Sequence, residues 1–274
     1  MSRFEGKTVV ITGASSGIGE ACARRFVAEG ARVVLAARRK EPLDRLSAEL
    51  GADVTQAVPT DISDVGQCKH LLQAAKARFG SIDVLVNNAG KNARGPFEKI
   101  PLDEMLAILD TNLRAAMVLT HLALPTMRAQ GSGTVVNVAS LAGRFPLDDE
   151  ATYSASKFAL RIFSFAVAEE LRDTNVRVTV VSPGPVDTGF ITDPVVIDDV
   201  PPLVFSQPMS TADEIAELVL DSAFDGRRER TKPALSGRLA TLSYLVPSLR
   251  RVLLPVFERK GEREKQKYIE RNRR

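Results

Sequence analysis

Thr8–Thr12, a short apolar and β-branched run, leads directly into the glycine-rich stretch Thr12–Gly19, TGASSGIG. A helical stretch follows at Glu20–Glu29 and ends at Gly30, and Arg32–Ala37 is again strand-like. A strand, a glycine turn, a helix and a second strand in so short a span is the opening of a doubly wound α/β sheet that binds a nucleotide. Gly13, Gly17 and Gly19, spaced G-x-x-x-G-x-G, let backbone N–H groups approach a pyrophosphate at a helix N-terminus. The same residues also read as G-x-S-x-G around Ser15, the turn that carries a hydrolase nucleophile. A hydrolase of that kind needs a histidine late in the chain. The histidines here are His70 and His121, so that reading is set aside.

The alternation continues along the chain. Strands are expected at Val54–Pro59, Asp83–Asn87, Thr134–Ser140 and Arg177–Ser182, and helices at Val65–Phe79, Leu102–Arg128 and Thr152–Arg172. The strands are apolar nearly throughout, as in a parallel sheet buried on both faces. Right-handed crossovers with helices on both sides follow from that pattern. The 274 residues fit one Rossmann-type α/β domain, 1–224, with a basic helical C-terminal extension, 225–274. With 44% hydrophobic residues, the chain can build a core that stands without disulfides or metals. Cys22 and Cys68 lie in helix-like segments without metal-ligand spacing and read as thiols of a reducing compartment. No metal site is expected from two histidines, and no nucleic-acid partner is expected either. The N-terminus runs into a strand without signal-peptide architecture, and no uncharged apolar run is long enough to span a bilayer. A cytoplasmic location is expected.

Ligands of such sheets bind at the carboxyl ends of the strands. After the second strand come the small Ala37 and the cationic Arg38 and Arg39, a pairing that suits a 2′-phosphate better than a bare ribose. Asp61 follows the third strand, Asn87-Asn88-Ala89-Gly90 the fourth, and Pro183-Gly184-Pro185-Val186-Asp187-Thr188 the sixth. Between them, SLAGRFPLDDEATYSASK runs from Ser140 to Lys157. On a helix, Tyr153 and Lys157 stand one turn apart on one face. An ammonium beside a phenol favours the phenolate, so Lys157 is expected to lower the pKa of Tyr153 toward neutrality. Such a tyrosine can exchange a proton with a reacting oxygen, and the Ser140 hydroxyl can reach the same atom.

TGASSGIG, NNAG, Asn112, Ser140, YSASK and PGPVDT, in this order, resemble the short-chain dehydrogenase/reductases of the single-domain type. The resemblance covers residues 6–224. It implies a seven-stranded parallel sheet, a nicotinamide cofactor, and hydride transfer to or from a carbonyl or alcohol carbon. It implies Tyr153 as acid or base, Lys157 on the nicotinamide ribose, Ser140 as donor to the reacting oxygen, and Asn112 holding a relay water through its amide, with a bond from that interior asparagine to backbone compatible with the same role. Gly13, Ser15, Ile18 and Gly19 would line the pyrophosphate, with Ser16 and Gly17 in the same turn. Asp61 and Ile62 would meet the adenine, Asn88 a ribose with Ala89 and Gly90 beside it, and Val186 and Thr188 the carboxamide next to Pro183 and Gly184. Many relatives that use NADP carry a basic residue just before the second glycine, where this chain has Ser16, so an NADP (NADPH) preference rests on Arg38. A homodimer through the two long helices, or a homotetramer, is implied. A cofactor-sensing binding protein on the same fold, without turnover, is the rival reading.

Substrate choice falls to Lys91–Phe97, Leu141–Glu150 and Gly189–Ser210. The last is rich in proline and reads as a mobile lid over an apolar substrate. Arg94 and Arg144 read as solvated arginines, with contact to an anionic group on the substrate as the alternative. Residues 225–274 hold 15 Lys and Arg against 6 Asp and Glu. Within them an apolar stripe, Leu242, Leu245, Val246, Leu249, Val252, Leu253, Val256 and Phe257, is flanked by Arg250 and Arg251, and 258–274 is charged almost throughout. Two expectations stand for this tail: docking on the enzyme's own body or on a partner subunit, over the active-site mouth, or a peripheral contact with an anionic membrane.

Overall fold

The computed structural model describes residues 2–272, and the side chains of Pro247, Leu249, Arg250 and Asn272 fall outside that description. Among the described residues there are seven strands: β1 (Thr8–Thr12), β2 (Arg32–Ala37), β3 (Thr55–Pro59), β4 (Val84–Asn87), β5 (Gly133–Val138), β6 (Val176–Pro183) and β7 (Glu229–Lys232). They form one parallel sheet in the order β3-β2-β1-β4-β5-β6-β7. The order reverses between β1 and β4, where a crevice opens at the carboxyl ends of the strands.

The helices are α1 (Gly17–Ala28), α2 (Lys40–Leu50), α3 (Val65–Phe79), α4 (Leu102–Leu109), α5 (Ala115–Gln130), α6 (Ala151–Glu170), α7 (Gly189–Thr192), α8 (Pro202–Phe205), α9 (Ala212–Asp225), α10 (Ala234–Leu245) and α11 (Pro247–Asn272). One core joins the α1, α2 and α9 faces to Val9, Ile11, Val33 and Leu35. The other joins α3 and α5 to Val10, Val34, Leu85 and Val135. Neighbouring residues of one strand thus enter opposite cores, which is why the middles of β1, β2 and β4 are apolar at consecutive positions. Phe26 is fully buried on α1, a burial worth about 1.5–3 kcal/mol. Helix ends follow local chemistry. Asp64 accepts from the N–H groups of Gly66 and Gln67 to start α3, and left-handed Gly80 ends it. Thr211 and Glu214 form a capping box on α9.

Three features depart from the sequence expectation. The helix expected over Leu102–Arg128 is broken by a π-helical turn, Asp110–Arg114, with Asn112 buried at its centre. Helices α2 and α9 carry short amphipathic patterns that the sequence reading passed over. Strand β7 lies beyond residue 224, in the stretch expected to be extension. It is a charged edge strand, ERTK, with no apolar run to mark it. Charge fixes its place. Glu229 accepts from Arg161 at 2.9 Å and from the Ser182 hydroxyl at 2.8 Å, and pairs with Arg144 at 2.6 Å. Burial opposes ionisation of Glu229, but Arg161, Arg144 and Ser182 together hold its carboxyl below the usual range.

The C-terminal segment folds back on the body: α10 packs by β7, and the charged half of α11 meets the lid. Ile269 is buried with Ile197, Val200 and Phe205 of the segment expected to be a mobile lid. Lys265 donates to the carbonyls of Asp198 and Val200 at 2.7 and 2.8 Å, and the Tyr268 hydroxyl donates to Asp187 at 3.0 Å. At Gly261 a Cβ would collide with the Pro202 carbonyl oxygen, so glycine lets α11 lie directly on α8. The lid therefore holds short helices, α7 and α8, strapped by α11. Leu249 and Arg250 of the expected stripe lie outside the described side chains.

Glu229→Gln leaves two guanidiniums facing each other around a neutral amide in a half-closed site. It is expected to cost about 3–5 kcal/mol of unfolding free energy in a denaturant titration. A loss below about 1 kcal/mol, the scale of an exposed ion pair, would show that the cluster does not anchor β7.

Candidate active site

A cleft of about 740 Å³ opens over the carboxyl ends of the strands. Its floor is the turn after β1. Gly13 and Gly17 have φ of 67° and 56°, in the left-handed region that glycine reaches without strain. A Cβ on Gly13 would stand 2.9 Å from the Ala89 Cα, and one on Gly19 would collide with the Gly13 carbonyl oxygen. The turn is thus pressed against the loop after β4 and against its own helix. Thr12 joins them. Its buried hydroxyl donates to the Val86 carbonyl at 3.3 Å and accepts from the N–H groups of Asn88 and Ala89 at 3.0 and 3.1 Å. Ser16 starts α1 without a side-chain hydrogen bond to it, so the first-turn amides of α1 are left for a ligand anion.

The cleft gathers nearly every residue singled out from sequence. Ser15, Ser16, Gly17 and Ile18 line it from the first turn, Arg38 from the end of β2, and Asp61 and Ile62 from the end of β3. Asn88, Ala89 and Gly90 line it beside Ser140, Tyr153 and Lys157, with Pro183, Gly184, Val186 and Thr188 closing the far side. Gly19 and Asn112 are not among the lining residues. Asp61 accepts from the Ser63 hydroxyl and N–H at 2.7 and 2.9 Å, and these bonds hold it ionised below its usual range. Arg38 is exposed at the rim, and its charge acts on Asp61 in the same direction.

Two side chains are spent differently from the expectation. The Asn88 amide nitrogen donates to the Thr12 and Gly13 carbonyls at 3.0 and 3.4 Å, so it ties the loop to the turn. Asn112 accepts from the Lys91 N–H at 2.8 Å and donates to the Lys91 carbonyl and the Ser156 hydroxyl at 2.9 and 3.1 Å. Its side chain braces the chain behind Gly90 and presents no amide to the cleft.

At the reaction end, α6 presents Tyr153 and Lys157 one turn apart. The Lys157 ammonium stands 5.8 Å from the Tyr153 ring centre and donates to the Val138 carbonyl at 2.9 Å. Burial lowers the Lys157 pKa to about 8. The expected lowering of Tyr153 does not occur. Burial pushes its phenol well above the usual range, and the Glu150 carboxylate adds to that, against a hydrogen bond from Ser140 and the charge of Arg94. Tyr153 is half-buried in the cleft wall, and the desolvation it meets there, with the Glu150 carboxylate, outweighs the groups that favour the phenolate. Ser140 accepts from the Ala142 N–H at 3.1 Å, and its hydroxyl shares a hydrogen bond with the Tyr153 phenol.

Sequence reading missed the wall around the tyrosine. Arg94 and Glu150 are paired at 2.8 Å with side chains 8% and 4% exposed, so Arg94 is not a solvated arginine. Nor is Arg144, which pairs with Glu229 and donates to Thr241 at 2.8 Å. Arg94 also donates to the Phe190 carbonyl at 3.1 Å and lies over the Phe190 ring, and that ring packs 5.9 Å from Tyr153. With 56 residues separating Arg94 from Glu150, no local pattern announces the pair. Phe145, Leu147, Ile191, Leu203 and Val204 make the rest of this end apolar.

A short chain dehydrogenase family model matches residues 7–194. The chain is 40% identical over 223 residues to the ketoacyl reductase HetN of Nostoc, covering 80% of this chain and 77% of that protein. It is 38% identical over 190 residues to an uncharacterized oxidoreductase of Staphylococcus aureus, covering 69% and 82%. Among solved structures, a metagenomic short-chain oxidoreductase in complex with NADP superimposes with a TM-score of 0.71 at 34% identity, covering 84% of this chain and 98% of that one. A short chain dehydrogenase/reductase from Burkholderia phymatum in complex with NAD gives a TM-score of 0.82 at 25% identity, covering 91% and 97%. The matched span exceeds half the chain and carries the glycine turn, Ser140, Tyr153 and Lys157 together: the chain belongs to the short-chain dehydrogenase/reductase family of oxidoreductases.

Proposed function

We propose that the protein reduces the carbonyl of an apolar substrate with NADPH, or runs the reverse oxidation, with Tyr153 exchanging the proton. The observation that carries this reading is the convergence of Ser140, Tyr153 and Lys157 on the cleft that the glycine turn floors. The residues present fit a nicotinamide dinucleotide. The glycine turn and first turn of α1 would take the pyrophosphate, Asp61 and Ile62 the adenine, Lys157 the ribose, and Val186 and Thr188 the carboxamide. The bound cofactor supplies the hydride at the carbonyl carbon. Ser140 donates to the substrate oxygen. Tyr153, kept protonated by burial and by Glu150, gives that oxygen its proton, and Lys157 then helps to replace it. Asn112 acts here as a positioning residue behind Gly90 and Ser156.

Arg38 at the rim favours NADPH through its 2′-phosphate, although one solved relative holds NADP and another NAD. The apolar walls of the lid favour an apolar substrate. Exposed Leu102, Leu106, Met117 and Ile162 on α4, α5 and α6 support a homodimer through these helices, which light scattering reads directly. The reading also includes a cytoplasmic location and a peripheral membrane contact through the C-terminal extension. The rival, a cofactor sensor without turnover, has no need of the Ser140, Tyr153 and Lys157 group.

Tyr153→Phe is expected to lower kcat about 10²–10⁴-fold on any substrate the parent reduces, with NADPH affinity nearly unchanged. Retained turnover would remove Tyr153 from the chemistry. Arg38→Ala is expected to lose roughly 1.5–3 kcal/mol of NADPH binding, about ten- to hundredfold, with NADH binding unaffected. Equal affinity of the parent for the two cofactors would contradict the role of Arg38.

A further inference from the structure

Helices α10 and α11 form a hairpin with two unlike faces. The inner face is spent on the protein. Gly237 and Thr241 accept from Arg144, and the Tyr244 ring packs 5.6 Å from Phe158. Gly261, Lys265, Tyr268 and Ile269 meet the lid. The outer face is bare and apolar around the hairpin turn. Leu235 and Leu245 on α10 are 67% and 69% exposed, and Val252 and Val256 on α11 are 70% and 64% exposed. Leu239, Leu242 and Val246 are exposed between them.

Charge is arranged on the same face. Residues 252, 256, 259, 263 and 267 fall in one helical stripe, opposite the stripe that meets the lid. Along it the apolar Val252 and Val256 give way to exposed Arg259, Arg263 and Lys267. Arg238 and Arg251 are exposed beside the apolar end. A bare apolar tip with a cationic collar is the arrangement by which a surface helix seats in a bilayer, its apolar side at acyl depth and its cations among anionic headgroups. A two-fold pairing of two copies with their α11 helices parallel across this stripe would instead set Arg259 and Arg263 near their own copies.

We propose that the outer face of the α10–α11 hairpin docks on an anionic bilayer and brings the cleft mouth to the lipid surface. Both supports of the hairpin border the cleft: α10 packs by the turn at Leu141–Gly143, and α11 lies on α8, whose Leu203 and Val204 line the cleft. An apolar carbonyl substrate would pass from the acyl layer to the lid without crossing water. This last step rests on the carbonyl-reductase reading; the docking itself does not.

The test is co-sedimentation of the full chain with phosphatidylcholine vesicles, with and without phosphatidylglycerol. Binding is expected only with phosphatidylglycerol at low salt, and added salt should weaken it at least roughly tenfold. The double variant Leu242→Glu, Val256→Glu should lose sedimentation while keeping its melting temperature and its NADPH affinity. Arg259→Glu with Arg263→Glu should weaken binding without changing the melting temperature. Absence of sedimentation at low salt, or sedimentation undiminished in the apolar variant, overturns the proposal. So does vesicle-free self-association in light scattering that the apolar variant abolishes, because the face then belongs to a second copy. NADPH binding reports on the dinucleotide site independently, so loss of either reading is distinguishable.

Discussion

The Thr12 hydroxyl holds two strand ends together, and the site depends on that contact. It is 1% exposed, and it takes the N–H groups of both Asn88 and Ala89. Without it, two part-buried backbone donors at the switch point between β1 and β4 would lack partners, at a cost of up to about 1 kcal/mol each. With it, the glycine turn and the loop after β4 stand close enough that a Cβ on Gly13 has no room. The amides at the start of α1 are thereby presented to the cleft, and nothing in the protein's own side chains competes for them at Ser16.

At the other end of the cleft, burial is the dominant electrostatic force. It raises the Tyr153 phenol, lowers the Lys157 ammonium to about 8, and raises the Glu150 carboxyl despite the adjoining Arg94. All three shifts disfavour charge, as desolvation must. The Arg94–Glu150 pair contributes a second property. Arg94 also holds the Phe190 carbonyl, so the lid and the wall beside the tyrosine share one buried charge pair.

The sheet was legible in the sequence wherever strands are buried on both faces. Val9–Ile11, Val33–Leu35 and Val84–Val86 are continuous apolar runs because both sheet faces are covered. Strand β7 was not legible, since an edge strand held by Glu229, Arg161 and Arg144 carries no hydrophobic pattern. The cleft residues were legible as motifs, because strand ends close together in space are regularly spaced along the chain. What spacing could not give was how each side chain is spent: Asn88 and Asn112 carry the amides expected, but both are taken up by backbone. The C-terminal extension divided contrary to its polarity. The charged stretch after residue 258 docks through Lys265, Tyr268 and Ile269, while the leucines of α10 stay exposed. A helical periodicity locates a face but does not say which neighbour will cover it.

If Ser140, Tyr153 and Lys157 make a hydride-transfer site, the cofactor's hydrogen must appear on the substrate carbon. The direct measurement is reduction of a panel of apolar ketones and aldehydes with NADPH deuterated at the nicotinamide C4, followed by mass spectrometry of the alcohols. Deuterium on the carbinol carbon of at least one product, absent with Tyr153→Phe, is the predicted result. Tight binding of the deuterated cofactor with no label transferred to any member of the panel would contradict it and leave a binding protein in place of a reductase.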